Sequence, residues 1–215
     1  VDFLLPLNDM PWANDIESTF KELISDDEGN LLVLPIDQNK WGLVYNKDVL
    51  EECGVEVPLR TIDDFMAALE QIKTASNGEI APMHIAGGDS WPLGQIFDQL
   101  ATPAFTTAEN NDQEALLNGT FDWNKWTDFS EMIKGMYDKG YFNEDIFTAK
   151  YADSAEAFAT GKAAFCWYGN TIVEEAEAIN PDVNAGLQPL PAFYEDDDMS
   201  FLNGEQTAFG IWKDS

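Results

Sequence analysis

Leu34-Pro35-Ile36-Asp37-Gln38-Asn39-Lys40-Trp41-Gly42-Leu43-Val44-Tyr45-Asn46-Lys47-Asp48 is the stretch that decides how the chain is organised. On its N-terminal side Leu31-Leu32-Val33-Leu34 is a short apolar run ending at Pro35, which predicts a strand. On its C-terminal side Trp41-Gly42-Leu43-Val44-Tyr45 predicts a second strand, separated from the first by the polar Asp37-Gln38-Asn39-Lys40. Trp41 alternates with Leu43 and Tyr45 along that strand, so core packing is expected of it rather than contact with a ligand.

Outward from this segment, helical and strand patterns alternate. Upstream, Ile16, Phe20 and Leu23 share one face of a helix expected over Asn14 to Leu23, which runs into the turn-rich Ser25-Asp26-Asp27-Glu28-Gly29-Asn30. Downstream, Thr61 with Asp64 resembles a capping box, and Ile62, Phe65, Met66, Leu69 and Ile72 follow at helical spacing until Gly78. Ala81 to Ile85 predicts a buried strand opening into Gly87-Gly88-Asp89-Ser90-Trp91-Pro92, with Pro92 suited to the first turn of the next helix. Trp126, Phe129, Met132, Ile133, Met136 and Tyr137 mark another helix closed by Gly140, and Ala155, Phe158 and Ala159 a shorter one closed by Gly161. Ala163 to Trp167 predicts a strand, Asn170 or Thr171 is placed to cap a helix running to Ile179, and Ala208 to Trp212 predicts a last strand. Such alternation indicates an α/β protein.

Composition narrows the partners. The 215 residues suffice for one large domain or two modest ones, each with a hydrophobic core. Forty acidic against 11 basic residues leave a net charge of −29, which repels nucleic acid and anionic lipid; the same acidity also serves simply to keep a surface solvated. No apolar run is long enough to span a bilayer. Val1 to Leu5 show no basic leader or cleavage site, so no targeting signal is visible in this piece.

Specialised chemistry finds no local anchor. Cys53 and Cys166 lie far apart without zinc or CxxC spacing, so occasional buried thiols are expected. The run Glu195-Asp196-Asp197-Asp198 lacks the ligand spacing and glycine of an EF-hand loop and reads as a solvated loop, with no metal expected. His84, the single histidine, falls in a strand expected to be buried, which favours a hydrogen-bonded structural role over catalysis. There is no GxSxG elbow, Walker loop or GxGxxG fingerprint.

Three stretches, in this order, resemble the extracellular solute-binding proteins of bacterial sugar ABC importers, the family that includes maltose-binding protein. The first is Leu34 to Asp48, similar to the strand by which that family crosses between lobes before a Tyr-Asn-Lys-Asp signature. The second is Pro58-Leu59-Arg60-Thr61-Ile62-Asp63-Asp64-Phe65, where Ile62 stands in place of a common Trp. The third is Ala157-Phe158-Ala159-Thr160-Gly161-Lys162-Ala163-Ala164-Phe165, similar to a Phe-x-x-Gly-Lys-Ala-Ala-Met element with Phe165 for Met. The resemblance implies a two-lobe, periplasmic-binding-protein-like (type II) α/β fold with a complete second lobe and a partial first one. It implies a first-lobe segment over residues 1–38, the second lobe over 39–199, and a return crossing with a first-lobe strand over 200–215. It also implies a fragment of a longer, monomeric receptor, secreted as a lipoprotein or periplasmic, that hands a sugar to ABC permease membrane subunits without a cofactor.

A sugar presents C–H faces and a fringe of hydroxyls, so its site needs aromatic plates and bidentate amide or carboxylate groups. Trp91, Trp167 and Tyr168 are the candidate plates. Gln38, Asn39, Asp89, Asn170, Glu205 and Gln206 are the candidate hydrogen-bonding groups, all at expected strand ends or loops. Each also has a plainer reading: Gln38 and Asn39 as turn caps, Asp89 and Trp91 as supports of a turn and helix start, Glu205 and Gln206 as a solvated strand edge. Relatives place a stacking aromatic shortly after the glycine matching Gly169, where this chain has Asn170-Thr171; Tyr168 or Trp167 is expected to substitute. The ligand is expected between the lobes, held by stacking and hydrogen bonds. A carbohydrate-active enzyme built on paired carboxylates is the main rival, but Asp63–Asp64 and Glu174–Glu175 are helix neighbours that point in different directions. A sugar receptor with no transport role is the second rival.

Overall fold

The computed structural model describes residues 3–37, 39–204 and 207–214. In chain order the elements are α1 (Ser18–Leu23), β1 (Val33–Pro35), β2 (Asn39–Trp41), β3 (Leu43–Asn46), α2 (Lys47–Glu52), α3 (Ile62–Ala75) and β4 (Ala81–His84). A 3₁₀ turn over Gly87–Asp89 leads to α4 (Trp91–Phe105), α5 (Gln113–Leu117), α6 (Trp123–Asp138), α7 (Tyr151–Ala159), β5 (Ala163–Cys166) and α8 (Thr171–Ile179). The chain closes with β6 (Ala185–Gln188), β7 (Leu202–Gly204) and β8 (Ala208–Gly210).

Two compact units form, one from Val1–Lys40 with Asn203–Ser215 and one from Trp41–Leu202. The sequence-expected boundaries after residues 38 and 199 fall slightly N-terminal of these. β2 and β7 pair with each other.

In the smaller unit β1 and β8 pair antiparallel, Leu34 opposite Phe209. Pro35 is tolerated because β8 is the sole partner of β1 among the described residues, so one side of the strand needs no ladder bond. Leu7, Ala13, Ile24 and Leu31 form its core. The helix expected over Asn14 to Leu23 is shorter, beginning at Ser18, because Met10 to Asp15 are taken up by successive turns (Ala13 N–H to Met10 O, Asp15 N–H to Trp12 O). The strand expected at 31–34 is shifted to 33–35, since Leu31 bridges back to Ser25.

The larger unit is built on a four-stranded sheet in the order β4-β5-β3-β6. β4 and β5 run parallel, Met83 opposite Phe165, while β5–β3 and β3–β6 are antiparallel. All four residues of β5 are buried, as an apolar run covered on both faces requires. Successive side chains point to opposite faces. Phe165 meets Phe65 of α3 edge-on at 5.6 Å, in the cluster that also holds Leu43 and Met83. Cys166 and Val44 face the other way, into a second cluster with Phe158 of α7 and Ile172 of α8. The Thr61–Asp64 capping box is formed in both directions, Thr61 N–H to Asp64 Oδ2 at 3.0 Å and Asp64 N–H to Thr61 Oγ1 at 3.1 Å. No helix among the described residues is long and apolar enough to cross a membrane.

Candidate functional site

Because β4 and β5 are parallel neighbours, their C-terminal ends open side by side, and ligands of open α/β sheets gather at that edge. The loop after β4 runs through Gly87, Gly88, Asp89 and Ser90 into Trp91; the segment after β5 runs through Trp167 and Tyr168 to Gly169, whose φ of +70° makes the turn.

Trp91 is 48% exposed at the first position of α4, with Pro92 in the first turn as its sequence requires. Its ring lies 5.4 Å from that of Tyr151 and 5.7 Å, edge-on, from that of Tyr168, while Tyr151 and Tyr168 are perpendicular at 5.0 Å. The three rings make one aromatic corner in which Trp91 is the half-exposed member. Burial pushes the Tyr151 phenol up to about 12 and raises that of Tyr168 further, so both act as neutral groups.

The loop is tied down at several points. Gly88 N–H donates to Ala149 O at 2.9 Å, Lys150 Nζ donates to Gly88 O at 2.6 Å, and the Tyr151 amide donates to Asp89 Oδ2 at 2.8 Å. Lys150 Nζ also lies 3.0 Å from Asp89 Oδ1. The Tyr151 amide first, and Lys150 second, hold the Asp89 carboxyl below its ordinary range, so it is ionised at neutral pH. Ser90 has φ +67° and ψ −50°, the strained classic γ-turn region, which costs about 1–3 kcal/mol and persists only where its surroundings over-determine it.

The structure brings Asp89, Trp91 and Tyr168 together. Trp167 and Tyr168, expected as plates, are each 1% exposed and present no open face. Trp167 stands edge-on to Phe65 at 5.4 Å in the core, its indole Nε1 without a hydrogen-bond partner among the described residues. The reason is the sheet: residues that directly continue a central strand remain between the covering helices, and the chain reaches the surface only at Gly169. Asn170 occupies the N-cap position of α8 without a side-chain capping bond. Asn39 opens β2, is 1% exposed, and has no hydrogen-bond partner for either side-chain amide atom among the described residues. Gln38, Glu205 and Gln206 lie outside the described residues.

Sequence reasoning missed Tyr151 and Lys150. The available signal was Asp153, three residues after Lys150, whose Oδ2 accepts the Lys150 amide at 2.6 Å and starts α7 there. His84 is buried, with Nδ1 2.8 Å from Ser154 Oγ.

A model of the bacterial extracellular solute-binding proteins matches residues 2–215. The melibiose/raffinose/stachyose-binding protein MelE of Bacillus subtilis is 37% identical over all 215 residues, which make up 50% of its length. The multiple sugar-binding protein of Streptococcus mutans is 26% identical over 163 residues, 74% of this chain and 38% of that protein. A sugar transporter from Bacillus licheniformis, solved in complex with stachyose, superposes with a TM-score of 0.91 at 38% identity over all of this chain and 56% of its own. The chain thus spans about half the length of MelE and of the Bacillus licheniformis protein. Its α/β architecture is the type II periplasmic-binding-protein-like fold of these sugar-binding proteins.

Proposed function

The chain belongs to the bacterial extracellular solute-binding proteins, and from that premise we propose that it captures an oligosaccharide for an ABC importer without transforming it. The observation that carries this reading is the half-exposed Trp91, backed by Tyr151 and Tyr168 at the C-terminal edge of parallel strands and flanked by the ionised Asp89. A flat, half-exposed indole beside a fixed carboxylate suits a C–H sugar face with its hydroxyl fringe. The names of the relatives make melibiose, raffinose and stachyose the first sugars to test. Delivery to permease membrane subunits, secretion as a lipoprotein or into a periplasm, and action as a monomer complete the proposal. The remaining site assignments, Gln38, Asn39, Asn170, Glu205 and Gln206 as hydrogen-bonding groups, stand within it, whereas Trp167 is sealed in the core and drops out.

Calorimetry on the intact protein, with these sugars and a panel of amino acids, tests the substrate class. Sugar binding with no product after prolonged incubation supports it; amino-acid binding without sugar binding, or sugar turnover, refutes it. Trp91→Ala is expected to weaken sugar binding by about 1–3 kcal/mol through loss of the aromatic plate. Unchanged affinity in a folded variant removes Trp91 from the site.

A further inference from the structure

Behind the aromatic corner lies a chain of buried polar groups that stacking alone does not need. The Ala86 amide donates to Tyr168 Oη at 2.9 Å, Tyr168 Oη lies 3.2 Å from Ser154 Oγ, and Ser154 Oγ lies 2.8 Å from His84 Nδ1. Ala86, Ser154 and Tyr168 are fully buried and His84 nearly so. Each of the two hydroxyls has a single hydrogen to give, and only one direction uses both. Tyr168 Oη accepts from Ala86, so its hydrogen goes to Ser154 Oγ; the Ser154 hydrogen then goes to His84 Nδ1, which must be unprotonated. In the reverse direction the Tyr168 hydrogen would find no second acceptor among the described residues, a costly state for a buried hydroxyl. His84 is therefore a neutral imidazole with its proton on Nε2, in agreement with burial disfavouring the charged form.

We infer that Tyr168 is a positioning residue: its hydroxyl, aligned by Ser154 and neutral His84, clamps the Ala86 amide at the foot of the Gly87–Trp91 loop and so fixes the Trp91 plate. Ala86 immediately precedes the turn that carries the strained Ser90, and the Tyr168 ring touches Trp91 directly. One side chain thereby holds both ends of the loop, its backbone root through the hydroxyl and its indole through the ring edge. An oligosaccharide stacking on Trp91 then meets a plate already set, which lowers the ordering cost of binding.

The inference rests on the sugar-binding reading for its functional half and on backbone protection for its structural half. In the intact protein, Tyr168→Phe keeps the ring and removes the clamp. Its Ala86 amide is expected to exchange with deuterium about tenfold faster, and its stachyose affinity by calorimetry to fall about threefold to tenfold, the loss of one net hydrogen bond. Ser154→Ala leaves Tyr168 whole, is expected to shift both readouts in the same direction to a smaller extent, and serves if Tyr168→Phe does not fold. Unchanged affinity in either folded variant overturns the inference, as does unchanged Ala86 protection. If the unsubstituted protein binds none of melibiose, raffinose and stachyose, the functional reading fails, and Ala86 exchange alone then decides the clamp.

Discussion

Gly88→Ala tests whether close backbone approach is what holds the Trp91 loop. A Cβ at Gly88 would lie 2.5 Å from the carbonyl oxygen of Thr148 and 2.8 Å from that of Ala149. Carbon–oxygen contacts settle near about 3.3–3.6 Å, so the loop must retreat by roughly 1 Å. The neighbour is backbone leading into α7 and cannot swing aside. Such a retreat takes the bonds Gly88 N–H to Ala149 O (2.9 Å) and Tyr151 N–H to Asp89 Oδ2 (2.8 Å) out of hydrogen-bond range. The flexible Lys150 side chain can follow the loop. Two bonds at about 1 kcal/mol each give a loss of about 2 kcal/mol, within the range for overpacking. Urea denaturation of the intact protein, followed at the transition that exposes this unit, should show that loss, and calorimetry should show weaker sugar binding. Gly94→Ala is the internal control: its Cβ meets nothing within 4 Å in the interior of α4, so a gain of about 0.5–1 kcal/mol is expected. A Gly88→Ala protein as stable as the unsubstituted one, with the same affinity, refutes the reasoning.

Thr61→Ala removes one half of the capping box of α3 and should cost about 1 kcal/mol by denaturation, with Thr61→Ser restoring most of it; equal stability of all three proteins would mean the box contributes nothing. The pKa of His84 is lowered in the folded state chiefly by burial, against opposing pulls from Asp145 and Asp153, so the unfolded chain binds the proton more readily. The stability that neutral His84 contributes is complete above the ordinary imidazole pKa of about 6.5 and is lost as pH falls through it. His84→Asn, which keeps an acceptor near the Nδ1 position without titrating, should flatten the pH dependence between about pH 7 and 5; an identical slope in both proteins excludes the effect. Burial raises the pKa of both thiols, most strongly at Cys166, so a maleimide should label neither quickly in the native protein and both in urea. Fast native labelling of Cys166 would contradict its place in the core.

Much of the fold was legible because the signals were local. Thr61 and Asp64 are three residues apart, and their mutual bonds need only a helix start. Pro92 at the head of α4, the turns at Gly140 and Gly161 with φ of +68° and +72°, and the end of α8 before Pro181 likewise depend on the residue and its neighbours. Elements failed to match where a distant partner set the limits: β1 begins two residues late because Leu31 is claimed by Ser25.

The site divides along the same line. By itself the sequence determined that an aromatic and a carboxylate, Trp91 and Asp89, sit on a glycine-rich turn after a buried strand, because loop chemistry and strand period are written in neighbouring residues. Only the tertiary structure decided that Tyr151 and Lys150, some sixty residues further on, complete that corner, and that Tyr168 supports the plate from inside. Whether a ring next to a strand end is open or sealed depends on which helices cover that edge of the sheet, and covering is a property of packing between segments remote in the chain.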